Sequence, residues 1–382
     1  MRIVQIANFY GPSSSGLRTA VNALGEGYVR AGHERVLIVP GGRYGCVRSA
    51  AHGLRMTLPG VPVGRGYRLL IAPGVLRRLL ERLAPDSVEV SDKSSLVHAG
   101  TWARARGVRA VLFSHERLDA ILSPKLPRWV PLRRTADAYN RRLLTAFDAV
   151  VAASAFSCAE FARIAAPVLH QVPLGVDLET FSPSAAGPAA GRGGHEIRLV
   201  YVGRLWKEKY PQLPVETLRV LRRRGIAARL DVLGEGPERA GLERRAAGLP
   251  VRFHGHVAGR RAVAAMTARA DVALAPCPVE AFGLSVLEAL ACGTPVVTAD
   301  RGGAAELLAP DAGFAAPLSA PETADAVLAV LDRPEGLRRA AARARAEQFP
   351  WSRTVARMLA VHAGPTARPA LPRAVRPRNR NV

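Results

Sequence analysis

The sequence predicts an α/β protein that consists of two doubly wound domains. Short apolar runs of strand length alternate with amphipathic runs of helix length through both halves of the chain. The 382 residues exceed what a single hydrophobic core usually organises, which favours two domains. Glycine-rich turns follow several strands, at the edge where open parallel sheets bind their ligands.

Changes in composition mark the expected domain boundaries. We place an N-terminal domain at residues 1–180 and a second domain at residues 196–349, joined by a Gly-, Ala- and Pro-rich linker at 184–195. Within the first domain, residues 40–66 are rich in Gly, Arg and Pro and predict loops. Residues 364–382 are Pro- and Arg-rich with almost no core-forming side chains, which predicts a basic disordered tail.

The composition is typical of a cytoplasmic protein. No window approaches the roughly 18 consecutive apolar residues that a membrane span needs, and the N-terminal run MRIVQIANF predicts a strand rather than a signal peptide. The four cysteines have neither metal-ligand nor paired spacing, which fits a reducing cytosol. We expect a cytoplasmic protein that can also contact the inner face of the plasma membrane as a peripheral protein.

The net charge of +23 is high for a chain of this size. Residues 1–175 carry 24 Lys and Arg against 11 Asp and Glu, so much of the excess lies in the first domain. This positive charge could bind nucleic acid, anionic lipid or a phosphorylated substrate. A nucleic-acid-binding protein is the least favoured of these, because we find no reading module and aromatic residues form only 5% of the chain.

The segment from Ser123 to Phe147 concentrates this charge. It holds six basic residues against one acid, with Trp129 and Tyr139 between them. A basic segment with aromatic side chains suits the surface of an anionic membrane. A solvated face on an arginine-rich protein explains the same pattern equally well, so both interpretations stay open.

The most informative stretch runs from Pro276 to Val297. An apolar strand leads into it, and a helix is predicted from Gly283 to Gly293, with Pro295 as a stop signal. A strand-to-helix turn of this kind presents free backbone N–H groups and the positive end of a helix dipole. Both favour a phosphate or another anion.

Two glutamates, Glu280 and Glu288, flank this turn, and they suit hydroxyl groups rather than phosphate. A carboxylate accepts two hydrogen bonds from a vicinal diol. Together with the turn they predict a nucleotide sugar, which has hydroxyls at both ends and phosphates between. The plainer interpretation is a helix start at which Glu280 favours the dipole and Glu288 is solvated.

The E-x7-E spacing, with FGL inside it and ACGTPVV after it, resembles the signature of retaining glycosyltransferases of family 4, which have the GT-B fold. The resemblance implies two Rossmann-like domains that face each other across a cleft. It also implies that a C-terminal helix, residues 350–363, packs back on the first domain. In the donor site it implies that Glu280 holds the sugar hydroxyls and Glu288 the ribose diol. Further donor contacts are implied for Phe282, Gly283, Leu284 and Ser285.

Other motifs resemble the same family. Arg204 and Lys209, five residues apart in G-R-L-x-x-E-K, resemble its phosphate-binding pair, and a planar fork with a compact cation can close on one diphosphate. The plainer interpretation of a single arginine here is a surface ion pair worth under ~1 kcal/mol. Gly16 resembles the first-domain glycine whose backbone meets the donor diphosphate. His256 and Val257 stand where relatives hold the base through backbone groups.

His115 is the candidate sugar contact in the first domain. It follows a predicted strand, Val108 to Phe113, at the carboxyl edge of the first sheet. The ring nitrogens of a lone histidine in such a place are often hydrogen-bonded to backbone groups. The family resemblance implies instead a contact with the donor sugar.

The expected chemistry needs no cofactor, because the sequence has no Asp-x-Asp pair and no His/Cys cluster with metal-ligand spacing. Arg204, Lys209 and the N–H groups near Gly16 and Gly283 then neutralise the leaving diphosphate. Family 4 enzymes retain the anomeric configuration, and the sequence identifies no committed nucleophile. Our hypothesis is front-face attack assisted by the donor's own phosphate, with the two domains closing to exclude water.

The runs PDSVEVSDKSSL and VLFSHERLDAIL resemble actinobacterial mannosyltransferases that use GDP-mannose. Those enzymes glycosylate membrane glycolipids of the phosphatidylinositol mannoside or glucuronosyl diacylglycerol type. We therefore expect a GDP-mannose-dependent alpha-mannosyltransferase with a glycolipid acceptor at an anionic membrane surface. A UDP-sugar enzyme with a soluble or natural-product acceptor stays an alternative, as do a binding module without catalysis and a nicotinamide oxidoreductase.

Overall fold

The computed structural model describes residues 1–11, 15–64, 66–122, 131–166, 168–187 and 196–365. Two main sheets organise these residues, one of eight strands and one of six. Helices alternate with strands along much of the chain, although five strands follow one another between residues 34 and 69. The predicted fold class, an α/β protein with two doubly wound sheets, is therefore confirmed.

The first sheet is formed by the N-terminal half of the chain. Its eight strands are β1 (Arg2–Ile6), β2 (Glu34–Gly41), β3 (Gly45–Ser49), β4 (Gly53–Pro59), β7 (Ser87–Val90), β8 (Arg109–Ser114), β9 (Ala149–Ala152) and β10 (Leu169–Gln171). The strands β5 (Val61–Pro62) and β6 (Arg68–Leu69) form a separate two-stranded ribbon. The order is β10-β9-β8-β7-β1-β2-β4-β3, with an antiparallel β3–β4 hairpin at the edge of otherwise parallel strands. The central strands are buried throughout, as parallel strands covered on both faces must be.

The described residues of this half form six helices: α1 (Ser15–Arg30), α2 (Pro73–Leu83), α3 (Val97–Ala105), α4 (Leu118–Leu122), α5 (Leu132–Leu144) and α6 (Ala155–Ala162). The loop prediction for residues 40–66 is wrong, because β3, β4 and β5 lie there. Leu54, Met56 and Leu58 alternate toward the core beside β2, and this short pattern prevails over the Gly and Pro content. The helix α2 begins at Pro73, since proline is well suited to the first turn.

The second sheet consists of six parallel strands: β11 (Ile197–Val202), β12 (Ala228–Leu233), β13 (Val251–Gly255), β14 (Val272–Ala275), β15 (Val296–Ala299) and β16 (Gly313–Ala316). Its order is β13-β12-β11-β14-β15-β16. The helices are α7 (Gln212–Arg223), α8 (Arg239–Arg245), α9 (Arg260–Ala268), α10 (Leu284–Ala291), α11 (Ala320–Leu331) and α12 (Glu335–Glu347). Between β15 and β16 lies a single 3₁₀ turn, Ala305–Leu307.

Both sheets reverse their strand order beside their first strand. In the first sheet β1 lies between β2 and β7, and in the second β11 lies between β12 and β14. The loops that leave such a switch point separate to either side of the sheet and open a crevice at the carboxyl edge. The predicted site residues follow β1, β8, β11, β13 and β14, on these edges.

The chain returns to the first sheet at its end. The helix α13 (Trp351–Ala363) packs against α1 and β8. His362 Nε2 lies 3.0 Å from Glu89 Oε2, and His362 Nδ1 lies 2.8 Å from Ser87 Oγ. Burial alone would raise the pKa of Glu89, but hydrogen bonds from His362, Gln5 and Tyr28 outweigh it, so the pKa is lowered.

Replacing His362 with Ala should destabilise the protein by about 3 kcal/mol, because a fully buried carboxylate loses one of its hydrogen-bond donors. The free energy of unfolding of the full chain in urea measures the effect. Arg357, exposed on the same helix, offers the control Arg357→Ala, which should change it by no more than about 0.5 kcal/mol. Equal effects of the two substitutions would contradict the role of the buried pair.

Candidate active site

The loop between β14 and α10 lies at the carboxyl edge of the second sheet. Gly283 has φ +100°, a left-handed conformation that glycine adopts readily, and it turns the chain into α10. Phe282 is 5% exposed and packs edge-on against Phe349, with ring centroids 6.4 Å apart. A buried phenyl ring and a turn glycine thus fix this loop. The N–H groups of Leu284 and Ser285 begin the helix without an intrahelical partner.

Lys209 lies against this loop because β11 pairs directly with β14. Its Nζ is 2.5 Å from Glu280 Oε2. Burial opposes the charge on Lys209, but the neighbouring Glu280 outweighs it, so the pKa of Lys209 is raised above its ordinary value. The lysine is therefore a permanent cation beside the carboxylate predicted to hold the donor sugar.

Arg204 faces the first domain. Its Nη1 is 3.4 Å from the hydroxyl oxygen of Tyr67, whose ring packs edge-on against Phe9 with centroids 5.6 Å apart. The backbone at Gly234 packs directly against the loop that carries Arg204. A Cβ at Gly234 would lie 1.9 Å from the carbonyl oxygen of Gly203, so this glycine allows the two loops to touch and holds the arginine backbone in place.

Glu288 lies on the second turn of α10, with Oε1 3.4 Å from Arg260 Nη2. Burial raises the pKa of Glu288 to about 7, while Arg260 opposes the rise and Asp177 adds to it. The carboxyl group is thus close to half ionised at neutral pH. Arg260 opens α9 just after exposed His256 and partly buried Val257, so the predicted base-binding loop lies at the same end of the site.

His115 lies one residue beyond β8. Its ring stacks on Phe113, with centroids 4.3 Å apart, and its Nε2 is buried without a hydrogen-bond partner in the described part of the chain. Burial lowers the pKa of His115 to about 4, and the charge of Glu89 offsets this only in part. The imidazole is therefore neutral at physiological pH and offers a ring nitrogen to a ligand.

Gly16 lies in the first turn of α1, after the connection from β1, of which residues 12–14 lie outside the described ranges. It is exposed, and a Cβ there would meet no other atom within 4 Å. The packing of the protein itself therefore does not require a glycine at this position. Its contact with the donor diphosphate stays a prediction.

The second domain supplies two groups of predicted residues, with the start of α10 between them. The first is a cluster of cations and an acid at the β11 and β14 loops, and the second lies around Arg260. The members are Arg204, Lys209 and Glu280 in the first group, His256, Val257 and Glu288 in the second, and Phe282, Gly283, Leu284 and Ser285 at the helix start. Their roles in donor binding stay predictions.

Contacts between the domains hold the Glu280 loop and the neighbouring turn at Glu306, and no motif in the sequence predicts them. Ser154 and Ser157 donate hydrogen bonds to the carbonyl oxygen of Ala281 at 2.5 and 3.0 Å. Glu306 accepts from the N–H groups of Ala155 and Phe156 at 2.7 and 2.6 Å. A carboxylate of the second domain thus caps α6 of the first. The only local signal was Ser154 as a helix cap, since the partner carboxylate lies about 150 residues further along the chain.

The described residues contain neither a metal-ligand cluster nor a membrane-spanning helix. Within the described ranges, no three His, Cys, Asp or Glu side chains lie together as metal ligands would. No described helix combines the length and the apolar character needed to cross a bilayer.

Comparison with known proteins identifies the family. Residues 14–180 match the family description Glycosyltransferase Family 4, and residues 189–347 match Glycosyl transferases group 1. GDP-mannose-dependent alpha-(1-6)-phosphatidylinositol dimannoside mannosyltransferase of Mycobacterium tuberculosis (strain ATCC 25177 / H37Ra) is 46% identical over 94% of this chain and 95% of its own length. The chain belongs to glycosyltransferase family 4. The predictions of the family and of a glycosyltransferase are thereby confirmed.

Further similarities are to a second mannosyltransferase sequence and to solved structures. GDP-mannose-dependent alpha-mannosyltransferase of Mycobacterium tuberculosis (strain CDC 1551 / Oshkosh) is 29% identical over 81% of this chain and 82% of its own. Sucrose-phosphate synthase from Thermosynechococcus elongatus superposes with a TM-score of 0.78 at 20% identity, covering 95% of this chain and 98% of that one. Anabaena HepE in complex with UDP and glucose gives 0.71 at 18% identity, covering 94% and 98%. The predicted GT-B fold is confirmed.

Replacing Glu306 with Ala should lower the thermal midpoint by about 2–4 °C, because α6 loses a charged cap worth about 1 kcal/mol. Turnover should fall as well, because the turn that carries Glu306 is bonded to the Glu280 loop through Gly303 N–H and the Glu280 carbonyl oxygen, and it loses its contact with the first domain. Differential scanning calorimetry and a steady-state assay check the two effects. Glu347→Ala, which removes an exposed i,i+4 partner of Arg343, is the control and should leave both values unchanged. A wild-type midpoint in Glu306→Ala would contradict the cap.

Proposed function

We propose that this family 4 glycosyltransferase transfers a mannosyl residue from GDP-mannose to a membrane glycolipid, with retention of anomeric configuration. The proposal rests on the 46% identity, over 94% of the chain, to a protein named GDP-mannose-dependent alpha-(1-6)-phosphatidylinositol dimannoside mannosyltransferase. That similarity spans both domains. We therefore assign an acceptor of phosphatidylinositol mannoside type, at the inner face of the plasma membrane, which the protein contacts as a peripheral protein.

In this proposal the donor diphosphate lies at the start of α10, where unpaired N–H groups and the helix dipole favour an anion. Gly16 adds a backbone contact from the first domain. Arg204 supplies a planar fork and Lys209 a compact charge, which Glu280 already holds in place at 2.5 Å. These groups stabilise the negative charge that grows on the diphosphate as the glycosidic bond breaks. Because the sequence has no Asp-x-Asp pair, we assign this task to the protein without a metal.

The two ends of the donor are assigned to the two glutamates. Glu280 accepts hydrogen bonds from the mannose hydroxyls, and the neutral imidazole of His115 bonds to the same sugar through its unpartnered nitrogen. Glu288 accepts from the ribose diol. The backbone of His256 and Val257 holds the guanine, at the end of the site where Arg260 contacts Glu288.

For the chemical step we favour front-face attack. Glu280 is ion-paired with Lys209, which weakens it as a nucleophile. The acceptor hydroxyl oxygen instead bonds to the anomeric carbon on the face that the diphosphate leaves, and its proton passes to a phosphate oxygen of that leaving group. The transition state resembles an oxocarbenium ion. Closed domains exclude the water that would otherwise hydrolyse the donor.

Lys209→Ala should lower kcat for mannosyl transfer by about 10²–10³-fold, since one cation is lost from the leaving group. The assay follows labelled mannose from GDP-mannose to a phosphatidylinositol mannoside dispersed in detergent. Lys207, exposed two residues earlier in the chain, gives the matched control Lys207→Ala, which should turn over like the wild type. Transfer from UDP-glucose but not from GDP-mannose would refute the proposed donor.

The affinity for GDP-mannose should rise with pH and level off above pH 7. Glu288, with a pKa raised to about 7, must be ionised to accept both ribose hydrogen bonds, so each pH unit below 7 weakens binding by up to about tenfold. Calorimetric titrations between about pH 6 and pH 8 measure this. The variant Glu288→Gln should bind more weakly with a flat pH profile. A rising profile in that variant would assign the titration to another group.

A further inference from the structure

We propose that the protein docks on anionic bilayers through one surface of the first domain, the hairpin face. It consists of residues 41–64 and 66–71, which include the β3–β4 hairpin and the β5–β6 ribbon. The inference rests on the proposed function, because a glycolipid acceptor lies in a bilayer. It identifies the part of the chain that contacts that bilayer.

Exposed apolar side chains concentrate on the hairpin face. Nine large hydrophobic side chains are exposed in the described part of the chain, and five of them lie here. They are Tyr44 (69% exposed), Val47 (55%), Val61 (44%), Val63 (45%) and Ile71 (56%). Single exposed hydrophobic residues are ordinary, but such a concentration marks a surface that contacts a membrane or another molecule.

The charge of the same region selects an anionic partner. Between Glu34 and Glu81 the sequence contains eight arginines and no Asp or Glu. Arg43, Arg48 and Arg55 are exposed on the hairpin face itself. Arginines that meet anionic headgroups, with apolar side chains inserted between the lipids, are the combination by which peripheral proteins bind a bilayer surface.

A second copy of the chain fits this face less well. β3 is an edge strand that is exposed along residues 45–48, and such an edge can pair with another chain. Two copies that met edge to edge would bring arginines against arginines, with no acid from either face. A bilayer with anionic headgroups neutralises the same arginines and accepts the same apolar side chains.

The hairpin face also reaches the active site. Tyr67 lies in it, hydrogen-bonded through its backbone to Val63 and Gly64. The hydroxyl of the same residue is 3.4 Å from Arg204 Nη1 in the second domain. A lipid held by this face therefore has its headgroup at the mouth of the cleft, next to the residues assigned to the donor diphosphate.

The basic segment at residues 123–147 is a weaker candidate for the membrane-binding surface. Its residues 123–130, with Trp129, lie outside the described ranges, and most of the rest forms α5, whose arginines are exposed. Tyr139 is the one exposed large hydrophobic side chain in the described part of that segment, and its hydroxyl donates to the carbonyl oxygen of Lys93. This described part supplies charge without a free apolar side chain to insert.

The test is sedimentation of the full chain with vesicles of phosphatidylcholine, alone or mixed with phosphatidylinositol. The protein should bind the mixed vesicles and not the neutral ones. The double variant Tyr44→Ser/Val47→Ser should bind about tenfold more weakly. Arg43→Ser/Arg48→Ser should lose about as much, together with part of the salt dependence.

Two matched double variants serve as controls. Phe314→Ser/Leu337→Ser removes exposed apolar side chains from the second domain, and Arg133→Ser/Arg134→Ser removes arginines from α5. Both should bind vesicles like the wild type. Full binding by the hairpin-face variants, or lost binding by the α5 variant, would overturn the proposal. A dimer without vesicles that the hairpin-face apolar variant abolishes would overturn it as well.

Transfer of mannose to a detergent-dispersed acceptor separates this inference from the proposed function. The hairpin-face variants should retain that transfer, because the substituted residues lie on or beside β3, which two strands separate from β1 in the sheet. If the wild type binds vesicles but transfers no mannose, the proposed function fails while docking stands. If it transfers mannose but binds no vesicles, docking alone fails.

Discussion

The direct pairing of β11 with β14 is the constraint on which the proposed donor site depends. Parallel neighbours end at the same edge, so the loop with Arg204 and Lys209 meets the loop with Glu280. Adjacent strands lie about 4.8 Å apart, and one intervening strand would double the separation and break the Lys209–Glu280 contact. The topology that reverses the sheet at β11 therefore also brings the acid and the cation together.

Burial and ion pairing give three ionisable groups of the proposed site different protonation states. Lys209 stays charged because Glu280 outweighs its burial, whereas His115 is buried without a comparable partner and is neutral, with a pKa of about 4. Glu288 lies between these cases, with a pKa of about 7. The three residues predicted to bind the donor are thus a strong cation, a neutral hydrogen-bonding ring and a carboxyl group that titrates near neutral pH. This division follows from the surroundings of each group rather than from its residue type.

The sequence was most informative where the determinants are local. The turn before α10, its capping glycine and the G-R-L loop each depend on a few adjacent residues, and the structure has a strand, a turn and a helix there. Residues 40–66 were wrongly predicted as loops, because Gly and Pro obscured a short alternating strand. The contacts of Glu306 with α6 could not be predicted, since nothing in either segment specifies a partner about 150 residues away.

The returning helix α13 has a consequence for biosynthesis. It supplies His362 to the buried Glu89, so the interior of the first domain is complete only when the last helix has left the ribosome. Until then the nascent first domain carries an open groove along α1, with a carboxylate at its base, while the whole second domain is being made. The first domain is thus synthesised before the second domain, but it can finish folding only after the second domain and α13 have been made.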